Sequence, residues 1–179
     1  AMEEGYGTFQ TRYPFLCTDD PDPKALFALP AYPFPVEVAH RRLYLARPGQ
    51  VNPDHLECLK VDVLVVVGSS GDDGVGCDGA KVERVEQPMS ADGLSQFLEL
   101  MGRLGGEGKN AMLCGEQEEP LLMLATLFYM MCEEHTLRQA YILAVQGYWR
   151  AGTQLGDVAL RLLAQKEKAE RAGSCSLSE

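Results

Sequence analysis

A cysteine between a strand-like segment and a helix-like segment is the residue of this chain best suited to do chemistry. Cys114 ends the run NAMLC at 110–114, and twelve almost wholly apolar residues follow at 121–132 after a short loop. The amino terminus of a helix and the loop amides before it attract an anion, and the same potential lowers the pKa of a thiol. The pattern therefore indicates nucleophilic chemistry by Cys114 on an anionic substrate.

The acidic residues that follow Cys114 oppose that chemistry. The loop 115–120 reads GEQEEP and contains three carboxylates and no basic residue. A carboxylate about 4–5 Å from a phosphate costs several kcal/mol at an effective dielectric constant of about 20. The attraction of a helix dipole, about 0.3–1 kcal/mol, is too weak to offset that repulsion. We expect the carboxylates to raise the pKa of Cys114, and a buried thiol without chemistry is the competing interpretation.

No other group of residues predicts a metal or cofactor site. The glycine-rich stretch 68–80 contains three aspartates, but no glutamate closes it as in a calcium loop. It also lacks the Gly-Lys-Ser/Thr ending of a nucleotide-binding loop. The six cysteines contain no C-x-x-C pair, and the three histidines form no ligand set with them. We therefore predict no cofactor, no metal, and the reduced thiols of a cytoplasmic protein.

The composition argues against two classes of partner. The chain has 179 residues, with 16 basic and 26 acidic side chains and a net charge of −10. A nucleic-acid binder needs lysine and arginine against phosphates, and an anionic membrane repels so acidic a chain, so we predict neither partner. The chain contains no run of 18 apolar residues, so no transmembrane helix is predicted. The first ten residues do not resemble a signal peptide.

The elements that would position Cys114 alternate between strands and helices. Strands are predicted at 36–46 (a hairpin or two short strands), 61–67, 81–86 and 110–114. Helices are predicted from Asn52 and Pro53 to about Leu59, over 92–104 after Ser90, over 121–132, after the capping box that begins at Thr136, and after Thr153. This order indicates an α/β protein with a central sheet flanked by helices.

The two ends of the chain differ from this pattern. Eight of the ten prolines lie in residues 1–53, so the stretch 17–35 is predicted to be extended rather than helical. Residues 171–179 are small and polar and are predicted to be a disordered tail. In the helix before that tail, we expect Leu155, Val158, Leu162 and Leu163 to face inward.

About residues 33–169 resemble the dual-specificity protein phosphatase family. The resemblance rests on the opening YPFPVEVAHRRLYLA, the strand VDVLVVV, the stretch VERVEQP, the run NAMLC and the closing LRLLAQKEK. It implies a protein-tyrosine-phosphatase-like domain of the dual-specificity type over 33–170. The segment GYGTFQTRYPFLC resembles the end of the rhodanese-like domain that precedes the catalytic domain in MAP kinase phosphatases. Residues 1–32 are therefore assigned to the end of such a domain and a proline-rich linker.

The catalytic motif of that family, His-Cys-x5-Arg with a glycine midway, is matched only in part. Cys114 stands at the cysteine position, but Leu113 replaces the histidine, Gln117 the glycine and Pro120 the arginine. The general-acid aspartate would fall near Gln87, which has no proton to transfer at neutral pH. Arginine binds phosphate through a two-pronged fork, and a general acid contributes about 10²–10⁴-fold to the rate. Inactive phosphatases of the STYX type lose the cysteine and keep the arginine, so we do not expect phosphopeptide capture here.

The resemblance thus implies a catalytically inactive, protein-binding module in phosphorylation signalling, with a MAP kinase or another phosphatase as partner. A weak phosphatase that uses Cys114 is one alternative, and a sulfur-transfer domain is another, because rhodanese-type loops also place a cysteine after a strand. Arg41 and Arg42 either dock an acidic partner or form a solvated turn, and Trp149 either contacts a partner or closes the core. The sequence does not indicate an oligomeric state.

Overall fold

The centre of the fold is a mixed sheet of five strands. The computed structural model describes residues 35–68, 80–147 and 154–175. Its strands are β1 (Val36–Ala39), β2 (Leu43–Ala46), β3 (Val63–Val67), β4 (Lys81–Val85) and β5 (Ala111–Cys114). They lie in the order β1-β2-β5-β3-β4. β1 is antiparallel to β2, whereas β2, β5, β3 and β4 run parallel. The predicted central sheet is confirmed.

The two strands at the middle of the parallel part are buried along their whole length. Every residue of β3 and every residue of β5 is buried. Continuous apolar runs are typical of parallel strands covered on both faces, because helices pack on each side of the sheet. In the register of these two strands, Val66 lies beside Cys114.

The first two strands form the predicted hairpin. The amide of Arg42 donates to the carbonyl of Ala39 at 3.0 Å and closes the turn. Arg41 has a φ of 51°, a left-handed conformation that is unfavourable for a residue with a side chain. Its amide donates to Glu37 Oε1 at 2.9 Å, so the strand that precedes the turn also supports it.

Among the described residues, five α-helices flank the sheet. They are α1 (Pro53–Cys58), α2 (Ala91–Gly106), α3 (Glu118–Cys132), α4 (Leu137–Gly147) and α5 (Asp157–Cys175), and a 3-10 turn spans Pro48–Gln50.

Three of the helices begin at the capping residues predicted from the sequence. Asn52 Oδ1 accepts from the amide of His55 at 2.8 Å, and Ser90 Oγ accepts from the amide of Gly93 at 3.0 Å. Gln139 Oε1 accepts from the amide of Thr136 at 3.2 Å, as a capping box requires. These side chains satisfy amides that the helices themselves leave without partners. The prediction for Thr153 lies outside the described residues.

The core has a layer on each face of the sheet. The larger layer packs α2, α3, α4 and α5 against Leu43, Leu45, Val65 and Leu113 of the strands. The smaller layer contains Leu56 of α1 with strand residues from the opposite face, namely Tyr44, Ala46, Leu64, Met112 and Cys114. None of the described helices has both the length and the apolar content needed to cross a bilayer.

Two predictions for the last helix need correction. Leu155 and Leu163 are buried and Leu162 is partly buried, as expected, but Val158 is 61% exposed. Ala159 faces the core instead, because buried positions four residues apart form a stripe along one side of a helix. α5 also continues to Cys175, so the first five positions of the predicted disordered tail are helical.

The chain divides into two units, Ala1–Phe34 and Pro35–Glu179. The predicted boundary after residue 32 lies two positions before this division. The assignment of residues 1–32 to a rhodanese-like end and a linker falls outside the described residues and stays a prediction.

Candidate functional site

The carboxyl ends of the parallel strands bring the candidate residues to one edge of the sheet. Arg47 follows β2, Cys114 ends β5 and Gln87 comes two residues after β4. Parallel strands end at a common edge, and ligands of open α/β sheets bind in the crevice outside that edge. The topology therefore places these three residues of distant sequence position at the same end of the sheet.

Cys114 lies inside the protein rather than on its surface. Its side chain is 1% exposed and packs in the smaller core layer with Ala46, Leu56, Leu64 and Met112. A nucleophile must reach its substrate, and a thiol this deeply buried does not. The arrangement therefore favours the competing interpretation of the sequence, a buried thiol without chemistry.

Gly115 carries the chain from β5 into the loop through a narrow space. Its amide donates to the carbonyl of Ala46 at 3.2 Å, which ties the loop to the end of β2. A Cβ atom at this position would lie 3.2 Å from the carbonyl oxygen of Val67 and 3.5 Å from Leu121 Cδ2. The loop therefore begins pressed against the end of β3, where a larger side chain would force its neighbours apart.

Neither Gln117 nor Pro120 has a positively charged side chain that could bind a phosphate. Gln117 precedes α3 in an extended conformation, and its side chain makes no capping hydrogen bond. Pro120 is the third residue of α3 and its side chain is buried. The position that matches the family's arginine thus lies in the helix and faces the interior, where a guanidinium would need a buried partner.

Glu118 is paired with an arginine that comes from another connection. Arg47 Nη2 donates to Glu118 Oε1, and the two side chains are 38% and 24% exposed. Glu118 is also the first residue of α3, where the helix dipole favours a negative charge. The carboxylate that the sequence places near the anion site is therefore held by a cation within the chain.

Glu119 contacts the segment that leads into α5. Its Oε1 atom accepts from the amide of Gly156 at 2.9 Å. The carbonyl of Gly156 in turn accepts from the amide of Leu160, so Gly156 marks the start of the last helix. Glu119 thus joins the amino termini of α3 and α5.

Gln87 serves a structural purpose through its backbone. Its carbonyl accepts from the amide of Ser90 at 3.1 Å and from Ser90 Oγ at 2.8 Å. A Cβ atom on Gly93 would lie only 1.9 Å from the same carbonyl oxygen. Gln87 therefore closes the turn before α2 while its side chain remains exposed.

The remaining candidates lie away from this edge or outside the described residues. Arg42 Nη1 pairs with Glu133 Oε1, and its guanidinium lies 5.3 Å from the centre of the Phe128 ring. Arg41 is exposed. Trp149 and most of the glycine-rich stretch 68–80 fall outside the described ranges. Within those ranges, no group of three or more potential metal ligands lies together.

Sequence reasoning missed Arg47 and the inward roles of Glu118 and Glu119. Arg47 lies 71 positions from Glu118, so no local pattern links them. One signal was present: Pro48 in PGQ follows Arg47 and begins the 3-10 turn that fixes it, with Gln50 Oε1 accepting from the amide of Arg47 at 2.7 Å.

Comparisons with known proteins identify the fold. No protein-family model matches the chain, and no curated protein is similar to it in sequence. Human DUSP28 has a similar structure, with 18% identity, a TM-score of 0.67, and coverage of 77% of this chain and 99% of that one. The human tyrosine phosphatase-like serine/threonine/tyrosine-interacting protein matches at 8% identity with a TM-score of 0.66, over 78% of this chain and 99% of that one.

A third solved structure supports the same fold. A leucine rich repeat and phosphatase domain containing protein from Entamoeba histolytica matches at 11% identity with a TM-score of 0.64, over 78% of this chain and 94% of that one. At such identities these likenesses concern the fold alone. The fold is the protein-tyrosine-phosphatase-like fold of the dual-specificity type, as the sequence predicted.

Proposed function

We propose that residues 33–170 form a catalytically inactive phosphatase-like domain that acts as a protein-binding or scaffolding module in phosphorylation signalling. One observation carries this proposal: the loop after Cys114 supplies carboxylates and no cation, and the nearby Arg47 is already paired with Glu118. A phosphate dianion at this loop would meet negative charge where phosphoryl transfer needs positive charge.

The state of the thiol supports the same conclusion. Cys114 is almost completely buried, whereas a nucleophile that attacks a phosphate ester must contact the phosphorus atom. Gln87, at the position of the general acid, is an amide that cannot protonate a leaving group. Each missing part lowers the rate separately, so the domain lacks the means both to bind and to cleave a phosphomonoester.

The sequence pattern suggests where such a module would act. The arrangement of a rhodanese-like end, a proline-rich linker and a phosphatase-like domain is most similar to the MAP kinase phosphatase-like protein MK-STYX. We therefore propose a cytoplasmic protein whose partner is a MAP kinase or another phosphatase. Its net charge of −10 favours a partner with a basic docking surface.

One feature favours a second candidate function, a weak cysteine-dependent phosphatase. A thiol remains at the end of β5, directly before a tight loop and the first turn of α3. If the loop rearranged, the amides before α3 and the thiol would lie together. This alternative requires another residue to supply the charge of the missing arginine.

Turnover of a reactive phosphomonoester by the wild-type chain and by Cys114→Ser separates the two functions. The inactive module predicts equal, background rates for both proteins. It also predicts that oxyanions such as tungstate do not protect Cys114 from alkylation. Turnover that disappears in Cys114→Ser would refute the proposal and establish the enzyme.

The partner is tested separately with purified proteins. Binding of the full chain to an unphosphorylated MAP kinase should weaken as the salt concentration rises, because the acidic surface contributes to association. The absence of binding to both MAP kinases and phosphatases would contradict the proposed signalling role while leaving the proposed inactivity untouched.

A further inference from the structure

The sheet ends in two edge strands, and they differ in how readily each could pair with another strand. β1 and β4 lie at the two ends of the order β1-β2-β5-β3-β4. The pairing of β1 with β2 is irregular between Glu37 and Ala39, and such a bulge discourages the addition of a further strand. β4 pairs with β3 in an unbroken register over Lys81–Val85. Of the two edges, β4 is therefore the one whose backbone is regular enough to be extended.

The backbone of β4 directs the groups of Val82 toward its outer side. The amide of Lys81 donates to the carbonyl of Asp62 at 3.0 Å, so Lys81 faces β3. The carbonyl of Val85 accepts from the amide of Gly68 at 2.9 Å, so Val85 also faces β3. Successive residues of a strand direct their N–H and C=O groups to opposite sides, so Val82 faces outward. No strand of the described ranges pairs with β4 on that side.

The side chains of β4 form a pattern that complements itself. Lys81 and Glu83 share the face on which α2 packs, where Glu83 accepts from Arg103 of that helix at 2.8 Å. Val82 lies between them on the opposite face and is 37% exposed. If this strand pairs antiparallel with its own copy about Val82, Lys81 lies opposite Glu83 of the second copy. A two-fold axis generates the same contact a second time.

The charges of β4 select this register over its neighbours. An axis at Glu83 would place two carboxylates opposite each other, and an axis at Lys81 would do the same with two ammonium groups. Both cations that contact Glu83 within the chain bind its Oε1 atom, so a lysine of the second copy can bind Oε2. Two copies with a net charge of −10 repel each other at long range, so their association needs a local match of this kind.

We propose that β4 is a self-association surface, on which a second copy of this chain adds its own β4 antiparallel about Val82 and joins two five-stranded sheets into one. The carbonyl of Arg84 accepts from Gln96 Nε2 of α2 at 3.0 Å, so the helix covers this end of the edge. The paired segment is therefore short, and the association depends on protein concentration. This surface goes beyond the proposed function and does not depend on whether the domain is an enzyme.

Sedimentation equilibrium of the full chain over a series of concentrations measures the association. Lys81→Glu and Glu83→Lys should each raise the dissociation constant of the dimer about tenfold, because each places two like-charged pairs across the axis. An equimolar mixture of the two variants should recover this loss, since every pair between them is again of opposite charge. Neither chain of the mixture recovers its own contact between positions 81 and 83, so the recovery reports contacts between copies.

Cysteine substitution tests the register of the pairing. Val82→Cys places two thiols opposite each other at a Cα separation of about 5.5 Å, which a disulfide can span. Arg84→Cys on the same face is the matched control, because its two copies would lie about 13 Å apart along the strands. Mild oxidation should link two chains through position 82 and not through position 84. Mass spectrometry of the unreduced peptides distinguishes these links from links between the native cysteines.

Four outcomes would overturn the proposal. A wild-type chain that stays monomeric up to the limit of its solubility would refute self-association and leave this edge to a strand of another protein. An unchanged dissociation constant in Lys81→Glu and Glu83→Lys would place the dimer contact elsewhere. A mixture of these variants that does not recover, although circular dichroism shows both chains folded, would exclude the charge pairing. Links through position 84 rather than 82 would contradict the register.

Discussion

For Pro120 and Arg47, the structure differs from what the sequence motif suggests. Pro120 takes the arginine position of the family's motif, yet it is buried in the first turn of α3. Arg47 belongs to no motif, yet its guanidinium contacts the loop. The sequence indicated correctly that Cys114 ends a buried strand, because that signal is local. It missed Arg47, because the contact depends on the neighbouring ends of β2 and β5.

Substitution of Pro120 by arginine tests whether the missing side chain alone explains inactivity. Pro120→Arg should give no turnover above that of Cys114→Ser, because the new side chain begins in the interior. It should also lower the free energy of unfolding by about 3 kcal/mol or more, the cost of an unpaired buried charge. Urea unfolding and a phosphomonoester assay provide the two measurements.

Pro120→Ala serves as the control for that substitution. It removes the ring without adding charge and should be much less destabilising than Pro120→Arg. Measurable turnover in Pro120→Arg would contradict the inward orientation of this position.

At the scale of elements, α2 depends on a close approach of two backbones. Gly93 lies in its first turn, and Ser90 caps the helix while bonding to the carbonyl of Gln87. The sequence predicted the cap because Ser90 precedes an amphipathic stretch. It did not predict the need for glycine at 93, because that need comes from the folded turn against the helix.

Alanine at position 93 should therefore destabilise the protein. Its Cβ atom would lie 1.9 Å from the carbonyl oxygen of Gln87, which is backbone and cannot move aside cheaply. We expect Gly93→Ala to lower the free energy of unfolding by about 3 kcal/mol, the upper end of the usual cost of overpacking. Thermal unfolding followed by circular dichroism measures the loss.

Gly102 offers the matched control in the same helix. Nothing lies within 4 Å of a Cβ atom built at this position. Gly102→Ala should stabilise the protein by about 0.5–1 kcal/mol, because alanine loses less backbone entropy in a helix. Equal effects at both positions would argue against the close approach at Gly93.

The contact between β4 and α2 gives a prediction that depends on pH. Glu83 accepts from Lys81 at 2.7 Å and from Arg103 at 2.8 Å, and mainly the hydrogen bond from Lys81 lowers the pKa of Glu83 below its ordinary value of 4.5. A carboxyl whose pKa is lower in the folded state than in the unfolded chain stabilises the folded state at pH values above its pKa in the unfolded chain. The stabilisation is lost as the pH falls through the lowered pKa.

Glu83→Gln should accordingly be less stable than the wild type at pH 7 by about 0.5–1 kcal/mol, since the contact is partly exposed. The free energies of unfolding of the two proteins should converge as the pH falls below 4.5 and through the lowered pKa of Glu83. Urea unfolding across this range checks the convergence. Glu99→Gln, on the exposed side of α2, is the control, because it removes one carboxylate of the same helix without touching the contacts of Glu83.

At the scale of the whole molecule, the order of the strands could not be read from the sequence. β5 is the last strand in chain order, yet it lies between β2 and β3 and pairs with both in parallel. The apolar periodicity and the capping residues predicted the strands and most helices, but they carry no information about which strands are neighbours in the sheet. The family resemblance implied the fold class, which is confirmed, whereas the strand order comes from the structure alone.

The packing of α5 on the rest of the molecule was predicted only in part. Ala159 and Leu163 form its buried stripe, and Leu155 is buried just before the helix begins, whereas Val158 is exposed. Ala159 gave a weak signal because alanine is found in cores and on surfaces alike. Leu163→Ala should cost about 2–5 kcal/mol in global stability, and Val158→Ala should stay within about 0.5 kcal/mol. Comparable losses in the two variants would contradict this orientation of α5.

The nearly complete burial of α3 has a consequence for how a sequence of this kind changes over time. Ten of its residues are buried, among them Leu121, Leu124, Leu127 and Phe128, and they belong to the main hydrophobic core of the protein. Substitutions inside the helix therefore cost stability, whereas the exposed positions Glu116 and Gln117 before it can change without disturbing the core. A backbone can in this way stay similar where the sequence differs, as between this chain and DUSP28 at 18% identity.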